Sequence, residues 1–599
     1  MLNLRKTPNW MLPIIRIFDL LPISKSTYPK DDLVCGKVAG KWKLYSTEEF
    51  VTLADALSRG LLLFGIAKGD TVAIMSANRP EWNIADFGIM QTGAVVVPMY
   101  PTLAENDIRF ILKDAAIKTI FVADKLLFDK LNAIKKELDS DLNIFTFDKV
   151  DGAKSWQEML DAGMANGQIE LEEYREKVAP EDTLTLIYTS GTTGTPKGVM
   201  LTHQNLVSNV VSSSVMYPDG FKKALSFLPI SHIFERMVIY MYFYRGISLY
   251  YAESMETIVA DIGEVKPDGF TTVPRLLEKV YDRIVAKGSE LSGIKRKLFY
   301  WALNLGLRYE LNGRNGWWYE LQLFFANRLI FNKWRAALGG NILALVSGGA
   351  ALQPRLARVF WAAQIPVLEG YGLTETSPVI AVNGLGKDEA SFGSVGKPIK
   401  DVEVKIAEDG EILCKGPNVM SGYFNRPDLT AEVIDLDGFF HTGDIGILTA
   451  EGFLRITDRK KEVFKTAGGK YVAPQALENK FKESIFIEQI MVIGENRRFP
   501  AALIVPSFDT VKEWCKRKNI PFTTREEILA NPQVIAKFQG EVDRHNKDFG
   551  HWEQIKKFAL LPKEWTIEGG ELTPKLSFRR KVILEKNAVV IEGLYAFQS

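Results

Sequence analysis

The stretch YTSGTTGTPKGV, Tyr188 to Val199, decides how the rest of the chain is read. The apolar run Leu184, Leu186 and Ile187 leads into it as a buried strand, and Thr202-His203-Gln204-Asn205 beyond it has the composition of a helix start. A loop held at both ends follows. Within it Gly191, Gly194 and Gly198 let the backbone come close to a ligand, while Thr189, Ser190, Thr192, Thr193 and Thr195 present hydroxyls and Lys197 adds a cation. Those are the donors a polyphosphate needs. The P-loop pattern G-x-x-x-x-G-K-[ST] does not fit, because Pro196 stands where its second glycine belongs and Gly198 follows the lysine. By composition alone the stretch also suits a Ser/Thr/Gly-rich surface loop, so the rest of the chain has to arbitrate.

A chain of 599 residues has room for three or four domain-sized units and a large core. Its 46% apolar and 25% charged residues are ordinary for a globular protein, and 74 Lys and Arg against 73 Asp and Glu imply no nucleic-acid partner. Cys35, Cys414 and Cys515 are far apart and have no metal spacing, which favours a reducing, cytoplasmic setting with inert thiols. The N-terminus carries Arg5, Lys6, Arg16 and Asp19 with Pro8, Pro13 and Pro22, unlike a signal peptide or a spanning helix. The longest uncharged stretch, Phe87 to Ala104, is broken by Gly93, Pro98 and Pro101 and reads as a buried strand and turn. No transmembrane segment is expected.

From residue 30 to 125 helical and strand patterns alternate: Thr47 to Phe64 has helical spacing, while Thr71 to Ile74 and GAVVVP, Gly93 to Pro98, read as strands. Alternation of this kind predicts parallel sheets covered by helices. Residues 126 to 180 are more polar and read as surface. The aromatic run Tyr240, Tyr242, Phe243, Tyr244, Tyr250 and Tyr251 reads as core. Residues 288 to 340, with Trp301, Trp317, Trp318 and Trp334 among Arg and Lys, suit an amphipathic helical insert that either packs on the domain or rests on a membrane surface.

The phosphate-loop stretch resembles that of the adenylate-forming enzymes, the superfamily of acyl-CoA synthetases, luciferases and peptide-synthetase adenylation domains. Further motifs in the same order resemble long-chain fatty acyl-CoA synthetases: KGDTVAIMSANRPEW, GAVVVPMYPTL, LPISHIFER (Leu228 to Arg236), ALVSGGAAL (Ala344 to Leu352), EGYGLTET (Glu369 to Thr376), and DGFFHTGDIG followed by GFLRITDRKKEVFKTAGGKYVAPQALEN (Asp437 to Asn479). The last pair is the most specific. The resemblance runs from about residue 30 to the C-terminus.

It implies an α/β fold with a large N-terminal domain of layered sheets, residues 1–457, a hinge at 458–461 and a small mobile α+β lid, 462–599. It places Ser190, Gly191, Thr192, Thr193 and Gly194, with Thr189 and Lys197, on the phosphates, and His232, Phe234 and Glu235 beside the acyl and nucleotide pockets; a core or capping role is the plainer reading of His232. Gly348, Gly349 and Ala350 would border adenine and acyl chain, Tyr371 would stack on the adenine with Gly372 also in the nucleotide site, and Thr374 with Glu375 would face the phosphates, with Glu375 on Mg²⁺. Asp444 would accept both ribose hydroxyls. Arg459 would contact the nucleotide, Lys461 would be the pivot, and Gly468 and Gly469 would face the site when the lid rotates.

The chain departs from the family near its end. Relatives carry a stretch like LTPT-x-K-x-K-R; here it is ELTPKLSFRRK, Glu571 to Lys581, which puts Ser577 at the catalytic lysine position and Lys575 two residues earlier. In an extended segment the two share a face, roughly 6–7 Å apart, so Lys575 is the expected replacement, with Arg579 and Arg580 as alternative cations. The implied reaction activates a long- or medium-chain fatty acid with ATP to an acyl-adenylate, then transfers the acyl group to CoA. The same motifs suit an acyl-AMP ligase serving a carrier protein, and Ser577 leaves open an impaired lipid-binding scaffold. A homodimer and contact with the inner face of a membrane are compatible with all three.

Overall fold

The computed structural model describes residues 12–190, 196–566, 569–573 and 578–596. Helix Thr47–Leu63 begins at Ser46, whose side chain accepts from the Glu49 amide, and buries Phe50, Ala54, Leu57 and Leu61 along one stripe. Strands Thr71–Met75 and Val95–Met99 lie parallel, side by side, in a sheet. Between them comes helix Pro80–Gln91, every residue of which is buried. The uncharged run from Phe87 is therefore the end of a helix followed by a strand, not strand and turn alone. A helix covered on all sides has no polar stripe, and periodicity cannot separate it from a buried strand.

Among the described residues the large N-terminal domain contains two extended sheets. The first runs, edge to edge, through Gly422–Tyr423, Pro196–Thr202, Thr183–Ser190, Val95–Met99, Thr71–Met75, Thr119–Val122, Asn143–Thr146 and Lys154–Ser155. It is parallel except where Pro196–Thr202 joins its neighbours. Residues 126–180 are thus only partly surface: they supply Asn143–Thr146 to this sheet and bury Leu131, Phe145 and Trp156. The second sheet is parallel from Val367–Gly372 through Ala344–Ser347, Gly269–Thr272, Lys223–Ser226 and Ser248–Tyr251 to Val34–Val38. Helix Ile233–Tyr244 is buried along nearly its whole length, and Tyr240, Tyr242, Phe243, Tyr244, Tyr250 and Tyr251 are core as read.

Inside that core Arg236 and Asp86 form a fully buried ion pair, with the Tyr240 hydroxyl donating to Asp86 at 2.5 Å and Arg236 donating to Thr185 Oγ1 at 2.8 Å. The pair joins the helix of one layer to a strand and helix of the other. A smaller antiparallel sheet, Glu403–Ile406, Glu411–Lys415, Phe440–Leu448 and Leu454–Arg459, follows. The chain then builds a small α+β unit around Ile487–Ile493, Ala501–Pro506 and Lys557–Leu560. Its apolar clusters draw on residues from Phe464 onward and the others on residues up to Ile456, so hydrophobic continuity breaks between them.

Candidate active site

Strand Thr183–Ser190 and strand Pro196–Thr202 form an antiparallel hairpin in which Thr189 pairs with Lys197 and Ser190 with Pro196. Its far end is pinned as expected: Thr202 caps helix His203–Ser214, accepting from the Asn205 amide at 3.1 Å while Asn205 Oδ1 accepts from the Thr202 amide at 2.9 Å. Gly191, Thr192, Thr193, Gly194 and the Ser190 side chain lie outside the described residues, as do Lys575 and Ser577.

Lys197 leads from this hairpin to a second motif. Its ammonium sits 5.0 Å from the centre of the Tyr423 ring, and the Tyr423 hydroxyl donates to Glu375 Oε1 at 2.9 Å. Tyr423 is held there because its strand pairs with Pro196–Thr202, and the Met420 amide donates to the Glu375 carbonyl at 2.8 Å. Thr374 beside Glu375 is buried. Asn209 reaches over from helix His203–Ser214, donating to the Val379 carbonyl at 2.8 Å, and so ties the Thr376 turn to the loop hairpin.

Four residues before Glu375, Tyr371 belongs to a second group. Its hydroxyl donates to Asp444 Oδ2 at 2.7 Å, and Arg459 Nε lies 3.4 Å from Asp444 Oδ1 across the paired strands Phe440–Leu448 and Leu454–Arg459. Asp444 is 4% exposed. Burial raises its carboxyl above the usual range and the Arg459 charge opposes that rise. Gly372 must be glycine: a Cβ there would sit 1.7 Å from the Pro378 carbonyl oxygen, where the strand pairing shifts register.

The LPISHIFER segment begins just after strand Lys223–Ser226. His232 Nδ1 accepts from the Phe234 amide at 3.1 Å at the start of helix Ile233–Tyr244, the capping role that was its plainer reading. Phe234 lies against Gly348, where a Cβ would come within 3.2 Å of the ring; Gly349, at φ +80°, and Ala350 follow, exposed. Glu235 points elsewhere. It is fully buried between Ser226 Oγ, at 2.5 Å, and Thr271 Oγ1, and burial pushes its carboxyl up to about 7. It joins the neighbouring strands Lys223–Ser226 and Gly269–Thr272.

Tyr423 and Glu411 gave no signal in the sequence, and Asp458 was read only as part of the hinge. Tyr423, the link between Lys197 and Glu375, lies in an unremarkable SGYFN stretch. Glu411 accepts from the Gly443 amide at 2.9 Å and pairs with Lys460 at 2.8 Å, bracing the turn before Asp444. Asp458 is 2% exposed, and its Oδ2 accepts from the Gln475 amide at 3.1 Å, at the N-terminus of helix Pro474–Phe481. Burial pushes that carboxyl up to about 7.

Lys461, Gly468 and Gly469 are exposed. The last two occupy the turn between Phe464–Lys465 and Tyr471–Val472, whose hydrogen bonds run to Arg497 and Lys470 within the small unit, not to the Tyr371 and Asp444 group. Arg580 is taken up by Glu462, at 3.0 Å, and Glu478, at 2.5 Å, so this alternative cation serves as internal structure. Leu572 and Phe578 bridge on either side of the segment that carries Lys575. Among the described residues no cluster of three or more His, Cys, Asp or Glu is arranged to hold a metal, and no helix is long and apolar enough to cross a membrane.

The AMP-binding enzyme family matches residues 24–424, and the AMP-binding enzyme C-terminal domain matches 462–599. A long-chain-fatty-acid–CoA ligase of Mycobacterium tuberculosis is 34% identical over 93% of both chains, and the human long-chain-fatty-acid–CoA ligase 1 is 31% identical over 93% of this chain and 82% of its own. Among solved structures, the adenylation domain of a Mycobacterium chelonae carboxylate reductase superposes with a TM-score of 0.75 at 21% identity, covering 98% of this chain and 92% of that one. An anthranilate CoA ligase bound to anthranoyl-AMP superposes at 0.73 and 16%, covering 97% and 99%. The chain belongs to the AMP-binding enzyme family.

Proposed function

We propose that this chain is an AMP-forming ligase that joins long- or medium-chain fatty acids to CoA. The observation that carries the reading is the convergence of Lys197, Tyr423 and Glu375 with Tyr371, Asp444 and Arg459, groups from distant parts of the chain that meet around residues 371–375. The relatives named above as long-chain-fatty-acid–CoA ligases supply the substrate class.

On this reading Asp444 accepts the ribose hydroxyls of ATP, Tyr371 and Gly372 border the adenine, and Thr189, Lys197 and Thr374 stand along the phosphates. Arg459, across the strand pair from Asp444, contacts the nucleotide. His232, capping its helix, fixes Phe234 against Gly348 at the edge of the acyl channel. Glu375, linked through Tyr423 to Lys197, is the carboxylate we assign to the phosphate side. Mg²⁺ fits a site of one or two carboxylates completed by substrate oxygens, where it would neutralise phosphate charge.

The fatty acid carboxylate attacks the α-phosphorus, the bond to the pyrophosphate oxygen breaks, and a mixed anhydride forms. CoA then attacks the acyl carbon as its thiolate, and AMP leaves. The protein's contribution is to hold three anionic reactants together against positive groups. Lys575 supplies the charge that relatives draw from the Ser577 position.

The large domain ends at 457, residues 458–461 form the hinge, and the lid begins at 462, which places Gly468 and Gly469 on a turn that swings toward the site. The break in the apolar clusters supports this division, and so does Asp458, which ties the hinge to the first lid helix. Cytoplasmic location, a homodimer and peripheral contact with a bilayer complete the proposal. Product analysis by mass spectrometry with Mg·ATP and C8 to C20 acids tests it. Acyl-CoA and AMP are expected when CoA is present. Acyl-AMP that never becomes thioester would point to a carrier-protein acceptor, and absence of AMP with every acid would overturn the ligase.

A further inference from the structure

The helix Trp317–Ala326 continues through a π-helical turn, Asn327–Phe331, into Asn332–Ala337. Tyr319, Leu323 and Ala326 are buried in the second apolar core, and Tyr319 donates to the Leu305 carbonyl at 2.6 Å. The opposite face is apolar too. Trp317 is 77% exposed, Trp318 60%, Phe324 60% and Phe325 48%, with Leu321 and Leu329 exposed beside them. At about 100° of rotation per residue, positions 317, 318, 321, 324 and 325 fall within an arc of about 120°, centred nearly opposite the buried set. Isolated exposed apolar side chains are ordinary, but a continuous stripe with two Trp and two Phe marks a binding surface.

Its charge says what it binds. Arg314, Arg328 and Lys333, at the two ends and within the stripe, are exposed, whereas residues 314–333 contain one carboxylate, Glu320. Trp and Phe at the depth of the head groups with Arg and Lys beside them suit an anionic lipid interface.

We infer that the face of helix 317–329 carrying Trp317, Trp318, Phe324 and Phe325 docks the protein on the surface of a bilayer containing anionic lipid. This deepens the peripheral-contact part of the proposed function. Vesicle binding is read without fatty acid, ATP or CoA, so its failure would leave the ligase reading untouched.

The test is flotation of the full chain with phosphatidylcholine vesicles, with and without phosphatidylglycerol. The wild type is expected to float with the anionic vesicles, to bind at least tenfold less well when Trp317→Ser and Phe324→Ser are combined, and to lose binding as salt rises. Arg328→Glu with Lys333→Glu is expected to remove the preference for phosphatidylglycerol. All four side chains are exposed, so thermal unfolding should not move, and the salt series on the wild type tests the idea without any variant. The inference fails if the wild type stays in the bottom fraction with the anionic vesicles, or if the Trp317→Ser/Phe324→Ser variant floats like the wild type. It also fails if those substitutions only split a dimer while no vesicle binding is seen; the stripe would then be a contact between two copies.

Discussion

Replacing Asp444 by Asn is expected to separate the nucleotide binding proposed for it from folding. The carboxylate accepts from Tyr371 at 2.7 Å and faces Arg459 at 3.4 Å. Asn has the same shape, and its carbonyl oxygen can keep the Tyr371 bond. The Arg459 side chain is 56% exposed, so its ion pair is worth no more than about 1 kcal/mol. Thermal unfolding should therefore move little. What Asn cannot do is accept through both atoms: its amide nitrogen brings a donor to a ribose hydroxyl and to Arg459. A hydrogen bond to a charged acceptor contributes about 1.5–3 kcal/mol, which is roughly 10- to 150-fold in kcat/KM for ATP. The assay is pyrophosphate release against ATP concentration at saturating fatty acid, with KM for the acid as internal control. The reasoning is refuted if kcat/KM for ATP changes less than threefold, or if the fatty acid and ATP terms fall together with the unfolding temperature.

Other outcomes follow from single groups. Lys575→Ala should lower the adenylation rate by about 10²–10³, the usual effect of removing one transition-state donor, and a near wild-type rate would move that role to another cation. Glu375→Gln should raise the Mg²⁺ concentration needed for half-maximal rate, with an unchanged requirement counting against Glu375 as a ligand. Asp86→Ala leaves Arg236 buried without its counter-charge and should destabilise the large domain by about 3–5 kcal/mol, seen as a much shorter half-life on heating; equal half-lives would contradict the pair's role. Burial pushes the Glu369 carboxyl up to about 8 from 4.5, so the folded state keeps a proton that the unfolded chain has lost. Its contribution to stability is complete below about 4.5 and is lost as pH rises through about 8. Glu369→Gln should flatten stability across that window, and an unchanged slope would show that the group is ionised in the fold.

Much of the fold was legible. The strand before the phosphate loop, the Thr202 cap and the strands Thr71–Met75 and Val95–Met99 all depend on near neighbours in the chain, so their patterns survive in one dimension. Helix Pro80–Gln91 was not separable from the run after it, because burial on every side erases the stripe that identifies a helix. The polar stretch 126–180 hid a sheet strand for a related reason: Asn143–Thr146 is short, and only its neighbour Thr119–Val122 gives it an inward face. Glu235 read as a pocket residue through its motif, but a carboxyl's surroundings are set by distant strands, here those of Ser226 and Thr271.

By itself the sequence determined the alternation of strands and helices, the order of the motifs shared with the family and the chemistry each can offer, because local spacing and residue type are sufficient for those. Tertiary structure decided which groups meet. It brought Tyr423 between Lys197 and Glu375, put the Tyr371 hydroxyl and Arg459 on either side of Asp444, took Arg580 into the small unit, and turned Trp317 and Phe324 outward. The physical reason is range. Hydrogen bonds and burial act over a few ångströms in space, and which residues come that close is set by sheet order and helix packing rather than by distance along the chain.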